Sequence, residues 1–201
     1  MKIDSPNPIH ADLKRSLKNG AALLAFGILL FALSTIVRSS VTSNTMMLMS
    51  IATMAGGALM LSTWWRRYSG IRVEQRANSK LQGVLPAGWR MEENFLSPAG
   101  GDIDVMIFAP TERRFAVEIK SLGSVTLKSH IFGVKESLTY RDGRALSRDP
   151  IAQCLRNAEA TNAHPVLWLP RAPRAKAIRM KCGVVVVQGS ASHLVRALQT
   201  H

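Results

Sequence analysis

Three residues near the middle of the chain, Asp104, Glu118 and Lys120, have the types and spacing of a hydrolytic centre. They belong to the stretch Gly101-Asp-Ile-Asp-Val-Met-Ile-Phe-Ala-Pro-Thr-Glu-Arg-Arg-Phe-Ala-Val-Glu-Ile-Lys-Ser121. Two runs rich in Val, Ile and Phe, 103–109 and 114–121, flank Pro110-Thr-Glu-Arg113, a strand–turn–strand pattern. Alternate side chains of a strand share a face, so Ile103, Val105 and Ile107 align with Phe115, Val117 and Ile119. The other face carries Asp104, Glu118 and Lys120. Folding about Thr111 or Glu112 sets Asp104 opposite Glu118 or Lys120, with opposed Cβ atoms about 5 Å apart. Two carboxylates that close repel each other unless a cation lies between them or one is protonated. Mg²⁺ or Mn²⁺, which prefer oxygen ligands, suit such a pair. Lys120 can place positive charge on an attacking water or a phosphate oxygen. The set is that of a phosphodiester-cleaving site, where a metal polarises phosphate and lowers the pKa of water. The alternative is a solvated face on which Lys120 pairs with the two acids.

The motif Gly101-Asp-Ile-Asp104-Val…Val117-Glu118-Ile-Lys120-Ser resembles the core of the PD-(D/E)xK nuclease superfamily. More narrowly it resembles the nuclease-related (NERD) domain, which reads Gln/Gly-x-Ile-Asp, then Ile-Glu-x-Lys and a Gly; here Gly123 follows. The resemblance implies that Asp104 and Glu118 are metal ligands and that Lys120 orients water or stabilises charge. Asp102 shares the strand face with Asp104 but lies outside the hairpin, in a supporting place.

Upstream, Ile71, Ala77, Leu81 and Leu85 recur at helical spacing, which predicts a helix over 71–85. Glu74 falls on that stripe, where a carboxylate aimed at the core needs a partner. The metal patch would supply one; a rotated stripe would instead put Glu74 at the edge, paired with Arg. NERD domains open with Gly-x-x-Gly-Glu-x-x-Val. Gly70-Ile-Arg-Val73-Glu74 keeps the first Gly and the Glu, with Val73 replacing the second Gly. The resemblance therefore implies Glu74 as a further metal ligand. Pro150-x-x-Gln153 matches the Pro-x-x-Gln that follows the catalytic hairpin in the family, implying that Gln153 hydrogen-bonds a phosphate or the attacking water.

The elements that must position these groups follow from the rest of the chain. Pro86-Ala-Gly88 ends the first helix, and 89–96 is a weak strand interrupted by Glu92-Glu93-Asn94. Residues 121–125 leave the sheet, and 126–146 form a polar β-excursion with Arg141-Asp-Gly-Arg144 as a hairpin turn. Asp149 caps, and Pro150 begins, a helix to about 163 that buries Ile151, Cys154, Leu155 and Ala158. Residues 164–169 and 183–188 are strands, and the Val run of the second suits burial on both faces in a parallel pair. Between them Arg171, Arg174, Lys176, Arg179 and Lys181 occur without an acid, either as a strip contacting phosphates or as a solvated loop and helix. Residues 191–199 form a closing helix. The fold class is α/β, an α/β/α sandwich with a mixed central sheet over 70–201. The superfamily resemblance, which covers most of 70–190, implies a restriction-endonuclease-like version.

A different segment precedes this domain. Residues 1–19 are polar and basic, and between Asn19 and Trp65 the only charge is Arg38. Residues 20–37 give about 27 Å of helix at 1.5 Å per residue, and 46–65 are longer still, against a hydrocarbon core roughly 30 Å thick. A polar loop over 38–45 completes a transmembrane hairpin. Ala52-x-x-x-Gly56, with Gly57 beside it, offers a flat packing surface, and Trp64 and Trp65 fit an interfacial belt. Lys14, Arg15 and Lys18 precede the first span and Arg66, Arg67, Arg72 and Arg76 follow the second. Positive-inside bias thus expects a multi-pass protein of the inner (plasma) membrane with both termini cytoplasmic.

Net charge is +13 and the pI about 10.7. From Arg66 onward 21 basic residues face 11 acidic ones, so the excess belongs to the domain. Such a balance points to nucleic acid or an anionic membrane surface. Cys154 and Cys182 lack metal spacing and a disulfide framework, which suits a reducing compartment. The five histidines are scattered without ligand spacing. The expected function is a membrane-anchored, Mg²⁺- or Mn²⁺-dependent nuclease, with DNA favoured over RNA. The alternative is a non-catalytic tethered module binding nucleic acid or protein, and a third is a domain lying on anionic lipid.

Overall fold

The computed structural model describes residues 8–37, 40–98, 100–129, 136–140, 142–144, 146 and 149–200. The chain divides into two units, Met1–Ile71 and Arg72–His201. The first is built on α1 (Pro8–Ile36) and α2 (Ser40–Gln82), and the last turns of α2 belong to the second. Within them Asp12–Ile36 and Ser40–Gln82 are long and apolar enough to cross a membrane. Large apolar side chains such as Phe26, Ile28, Leu29, Leu48 and Leu59 remain exposed on these helices.

The expected polar loop over 38–45 is shorter than its composition suggests. The helix resumes at Ser40, while Arg38 lies outside the described residues. Polar side chains here bond back within the helix, Thr45 Oγ1 donating to the Val41 carbonyl at 2.9 Å, so they need no water-exposed loop. The packing surface also differs from the expected Ala52–Gly56 face. Ala52 is exposed, and a Cβ on Gly56 would meet nothing within 4 Å. The close approach is made one residue on, by Gly57, where a Cβ would lie 2.9 Å from the Gly20 carbonyl oxygen and from Leu24 Cγ. Two turns earlier on the same face the buried Ser50 hydroxyl donates to the Gly27 carbonyl at 2.9 Å. One residue is about 100° of helix rotation, which is why Gly56 misses the seam.

The expected helix over 71–85 is the end of α2 and stops at Gln82, with no break at 66–70. Its buried stripe is Val73, Ala77 and Leu81, while Ile71 and Leu85 are half-buried. Val73 is therefore a core residue.

A six-stranded sheet follows, in the order β1 (Arg90–Leu96), β2 (Asp102–Phe108), β3 (Arg114–Ile119), β6 (His164–Leu169), β8 (Val185–Gln188), β7 (Lys176–Arg179). The first three strands are antiparallel, β3, β6 and β8 are parallel, and β7 returns antiparallel at the edge. The sheet is thus mixed. One face packs Val105, Ile107, Phe115, Val117 and Ile119 against Ala77 and Leu81 of α2 and Leu194 and Leu198 of α4 (Ala191–Gln199). The other is covered by α3 (Pro150–Thr161) and by a separate hairpin of β4 (Val125–Ser129) and β5 (Glu136–Tyr140). The Val run alternates between both layers: Val185 and Val187 face α4, Val184 and Val186 the α3 side.

Four local readings change. Ile103, expected beside Val105 and Ile107, packs with Met106, Ala116 and Ala158. The β1–β2 register is constant across this point, but Asn94, between Glu93↔Val105 and Phe95↔Ile103, departs from extended backbone at φ +52. Glu92-Glu93-Asn94 does not interrupt the strand; β1 runs through it as an edge strand, where exposed acids cost little. Residues 176–179, read as loop or helix, form the opposite edge strand. Leu155 is half-buried in α3, whose core stripe is Ile151, Cys154 and Ala158. The cap is as expected, Asp149 Oδ1 accepting from the Ile151 and Ala152 N–H groups at 2.9 and 3.3 Å.

Candidate active site

Register brings the two acids together. Pairing from Val105↔Val117 to Phe108↔Arg114 centres the hairpin on Thr111, so the continuing position opposite Asp104 is Glu118, not Lys120. Asp104 closes the ladder with its side chain, Oδ2 accepting the Ile119 N–H at 2.6 Å. Glu118, 2% exposed, accepts a hydrogen bond from Lys120 Nζ on Oε1. Asn157 Nδ2, on α3, lies 3.5 Å from Glu118 Oε2. Lys120 itself is anchored by its backbone, its N–H donating to the Trp168 carbonyl at 3.0 Å.

The electrostatics show these groups acting on one another. Burial pushes the Glu118 carboxyl from its ordinary 4.5 up to about 7, and Asp104, then more weakly Glu74, push the same way against Lys120. Asp104 is raised by burial as well, partly offset by the Ile119 hydrogen bond and Lys120, with Asp102 adding to the rise. Glu74 is half-buried and raised by burial and then by Asp104, with Lys120 opposing. For Lys120 burial disfavours the charge, yet Glu118, Asp104 and Glu74 outweigh it and hold the ammonium above its usual range. Glu74 thus belongs to the cluster and is not paired with an Arg among the ion pairs of the described residues. One turn on, Asn78 donates from Nδ2 to Glu93 Oε2 at 3.0 Å, and its Oδ1 is buried without a partner.

Lys120 and Gln153 open into one cavity of about 240 Å³ beside the first turn of α3. A larger cavity, about 600 Å³, is lined by Arg90, Phe108, Glu112 and Arg114 at the turn end of the hairpin. Six residues of β3 separate it from Lys120, roughly 20 Å at 3.3 Å per residue, so it is not part of this cluster.

Asp104 raises the pKa of both Glu74 and Glu118, and Glu74 adds to the rise of Glu118; carboxylate oxygens are the donor type that a hard divalent cation takes. Among the described residues, no three His, Cys, Asp or Glu side chains lie closely enough together to hold one. Glu118 is engaged by Lys120 instead.

The sequence profile of the nuclease-related domain (NERD) matches residues 69–187. The chain belongs to this family. Neither the curated proteins nor the solved structures searched contain a match. The NERD span takes in Glu74, Asp104, Glu118, Lys120 and Gln153.

The basic strip of this NERD domain is divided. Lys176 pairs with Gln188, and Gln188 with Leu169, which places Lys176 at the Lys120 end of the sheet. Three strands at about 4.8 Å put it roughly 14 Å away. Arg171 and Arg174, in the β6–β7 connection, share that end and are exposed. Arg179 pairs with Val185 at the start of β8, and Lys181 lies in the turn beyond, its N–H donating to Glu136 Oε2 at 2.7 Å. Asn157 is the site neighbour that sequence reasoning missed. It lies four residues after Gln153, on the same face of α3, and that spacing was the available signal.

Proposed function

We propose that this NERD protein is a metal-dependent nuclease hydrolysing phosphodiester bonds of nucleic acid, DNA in preference to RNA. It is anchored by α1 and α2 in the inner (plasma) membrane and works on the cytoplasmic side, on a restriction-endonuclease-like sandwich. The observation that carries this reading is Glu118: a 2% exposed carboxylate, felt by Asp104 and Glu74 and bonded to Lys120. Burial and like charge both oppose its ionisation, and such arrangements cluster at functional sites.

Asp104 and Glu118, with Glu74, would hold Mg²⁺ or Mn²⁺, which when bound polarises a phosphoryl oxygen and makes water a better nucleophile. For Glu118 to serve, its hydrogen bond to Lys120 opens. Lys120 is then free to orient the attacking water or to neutralise a phosphate oxygen, and it retains solvent access for this, with a side chain 33% exposed. Gln153, in the same cavity, hydrogen-bonds the phosphate or the water. Arg171, Arg174 and Lys176 steer and hold the nucleic-acid backbone, with Arg179 and Lys181 extending the field toward the far end.

The test uses the full chain in detergent, incubated with plasmid and with single-stranded DNA plus Mg²⁺ or Mn²⁺. Cleavage is expected, abolished by EDTA and reduced about 10²-fold or more in Glu118→Ala and Lys120→Ala. Activity that survives both substitutions sinks the assignment. The second reading, a tethered binding module, is favoured by the carboxylates' not being gathered as a three-ligand set. Salt-sensitive binding indifferent to EDTA, without cleavage, would select it.

A further inference from the structure

The cavity beyond Lys120 has walls that the hydrolytic roles leave unused. Leu122, Leu146 and Pro150 make it apolar on its sides, Tyr140 adds an aromatic ring, and Lys120 and Gln153 supply polar groups. Asp149 also lines it, but its Oδ1 is occupied by the first N–H groups of α3. Tyr140 is held firmly. It ends β5 opposite Val125, and Val125 is clasped by the buried Gln188 side chain, which donates to its carbonyl at 2.9 Å and accepts its N–H at 3.3 Å. Beyond Tyr140 the chain turns through Gly143 at φ +84, with Gly143 N–H donating to the Tyr140 carbonyl and Tyr140 N–H to the Arg144 carbonyl, both at 2.9 Å. The Arg144 guanidinium returns to 5.7 Å from the ring centroid and is steadied by Asp142 Oδ2 at 2.7 Å.

A pocket with an aromatic ring on an anchored backbone, apolar sides, one cation within and another over the ring suits a flat apolar body joined to an anion. At about 240 Å³ it falls below the roughly 300–1,000 Å³ of sites for drug-sized ligands. That volume is of the order of a single nucleoside. We infer that this cavity is a nucleobase subsite, in which Tyr140 stacks an unpaired base of the nucleotide adjoining the phosphate at Lys120. The substrate is then single-stranded or locally unpaired, since a base inside a duplex is stacked on its neighbours and must leave them to enter. This rests on the nuclease reading only in taking Lys120 as the phosphate end.

The experiment separates the two. A single-stranded oligonucleotide carrying 5-iodouracil is irradiated with the full chain in detergent and EDTA, where no cutting is required, and adducts are mapped by mass spectrometry. The expected adduct is on Tyr140. Unlabelled single strand should compete it away at least tenfold better than duplex, and Tyr140→Ala should weaken binding roughly tenfold while Tyr140→Phe retains it. Adducts confined to Arg171–Lys176, equal competition by duplex, or unchanged binding by Tyr140→Ala overturn the subsite. If Tyr140→Ala does not fold, the wild-type adduct map decides. A Tyr140 adduct in a protein that cleaves nothing with Mg²⁺ upholds the subsite and removes the nuclease.

Discussion

Glu118 fixes the behaviour of the site at the scale of single residues. Its carboxyl binds a proton more tightly in the folded chain, at about pH 7, than in the unfolded chain, near 4.5. The stability contributed by this protonation is complete below pH 4.5 and is lost as pH rises through 7. The metal-free protein should therefore be less stable at pH 8 than at pH 5. Glu118→Gln, which cannot ionise, should remove most of that slope and gain on the order of 2–3 kcal/mol at pH 8. Thermal melts of the detergent-solubilised chain in EDTA at both pH values test this, and a wild-type slope that persists in Glu118→Gln refutes it. Mg²⁺ should stabilise the wild type at pH 8 and leave the variant unmoved. The juxtaposition of Asp104, Glu118 and Lys120 was legible in the sequence because strand alternation is strict and a short turn limits the register to two choices. Which choice holds was not legible, since a one-residue shift of turn centre leaves the apolar pattern unchanged; the Thr111-centred ladder decides it. Asn157 was hidden because an amide on a helix flank has no periodicity of its own.

Among the elements, the β4–β5 hairpin shows how a small part is held. It forms its own two-stranded sheet and joins the rest through Val125 and Leu138 in the core, the Gln188 clasp, and Glu136 Oε2 on the Lys181 N–H. Gln188→Ala leaves the Val125 N–H and carbonyl buried and unpaired, at a cost of about 1–3 kcal/mol. Amide hydrogen exchange should accelerate across β4 while β6 keeps its protection; uniform loosening of both would show the clasp to be no local fastener. The sequence announced α3 clearly, because its capping residue and its 3.6-residue stripe agree. It concealed β7, where Lys176-Ala-Ile-Arg179 has one large apolar residue and charges that suit an exposed edge. It also divided α2 wrongly, since polarity at 40–45 and 66–70 was taken for interruption where the backbone stays helical.

For the molecule as a whole, the excess of positive charge and the two apolar helices set what it meets. The proposed cytoplasmic placement of both termini is tested at the exposed Cys182, because Cys154 is buried and burial pushes its thiol far up. A membrane-impermeant maleimide added to intact cells should spare Cys182 and label it only after the membrane is opened. Labelling before opening would reverse the orientation. Length and the absence of charge made the two helices readable, whereas their seam at Gly57 and Ser50 depends on rotational phase that composition does not carry. The β4–β5 hairpin has a consequence at this scale too. Because it is buttoned onto the sheet rather than threaded through it, exchanging its residues for those of a relative should leave β2 and β3 in place. On the proposed function, preference for a strand and the capacity to cut it would then be separable traits, free to diverge at different rates within one family.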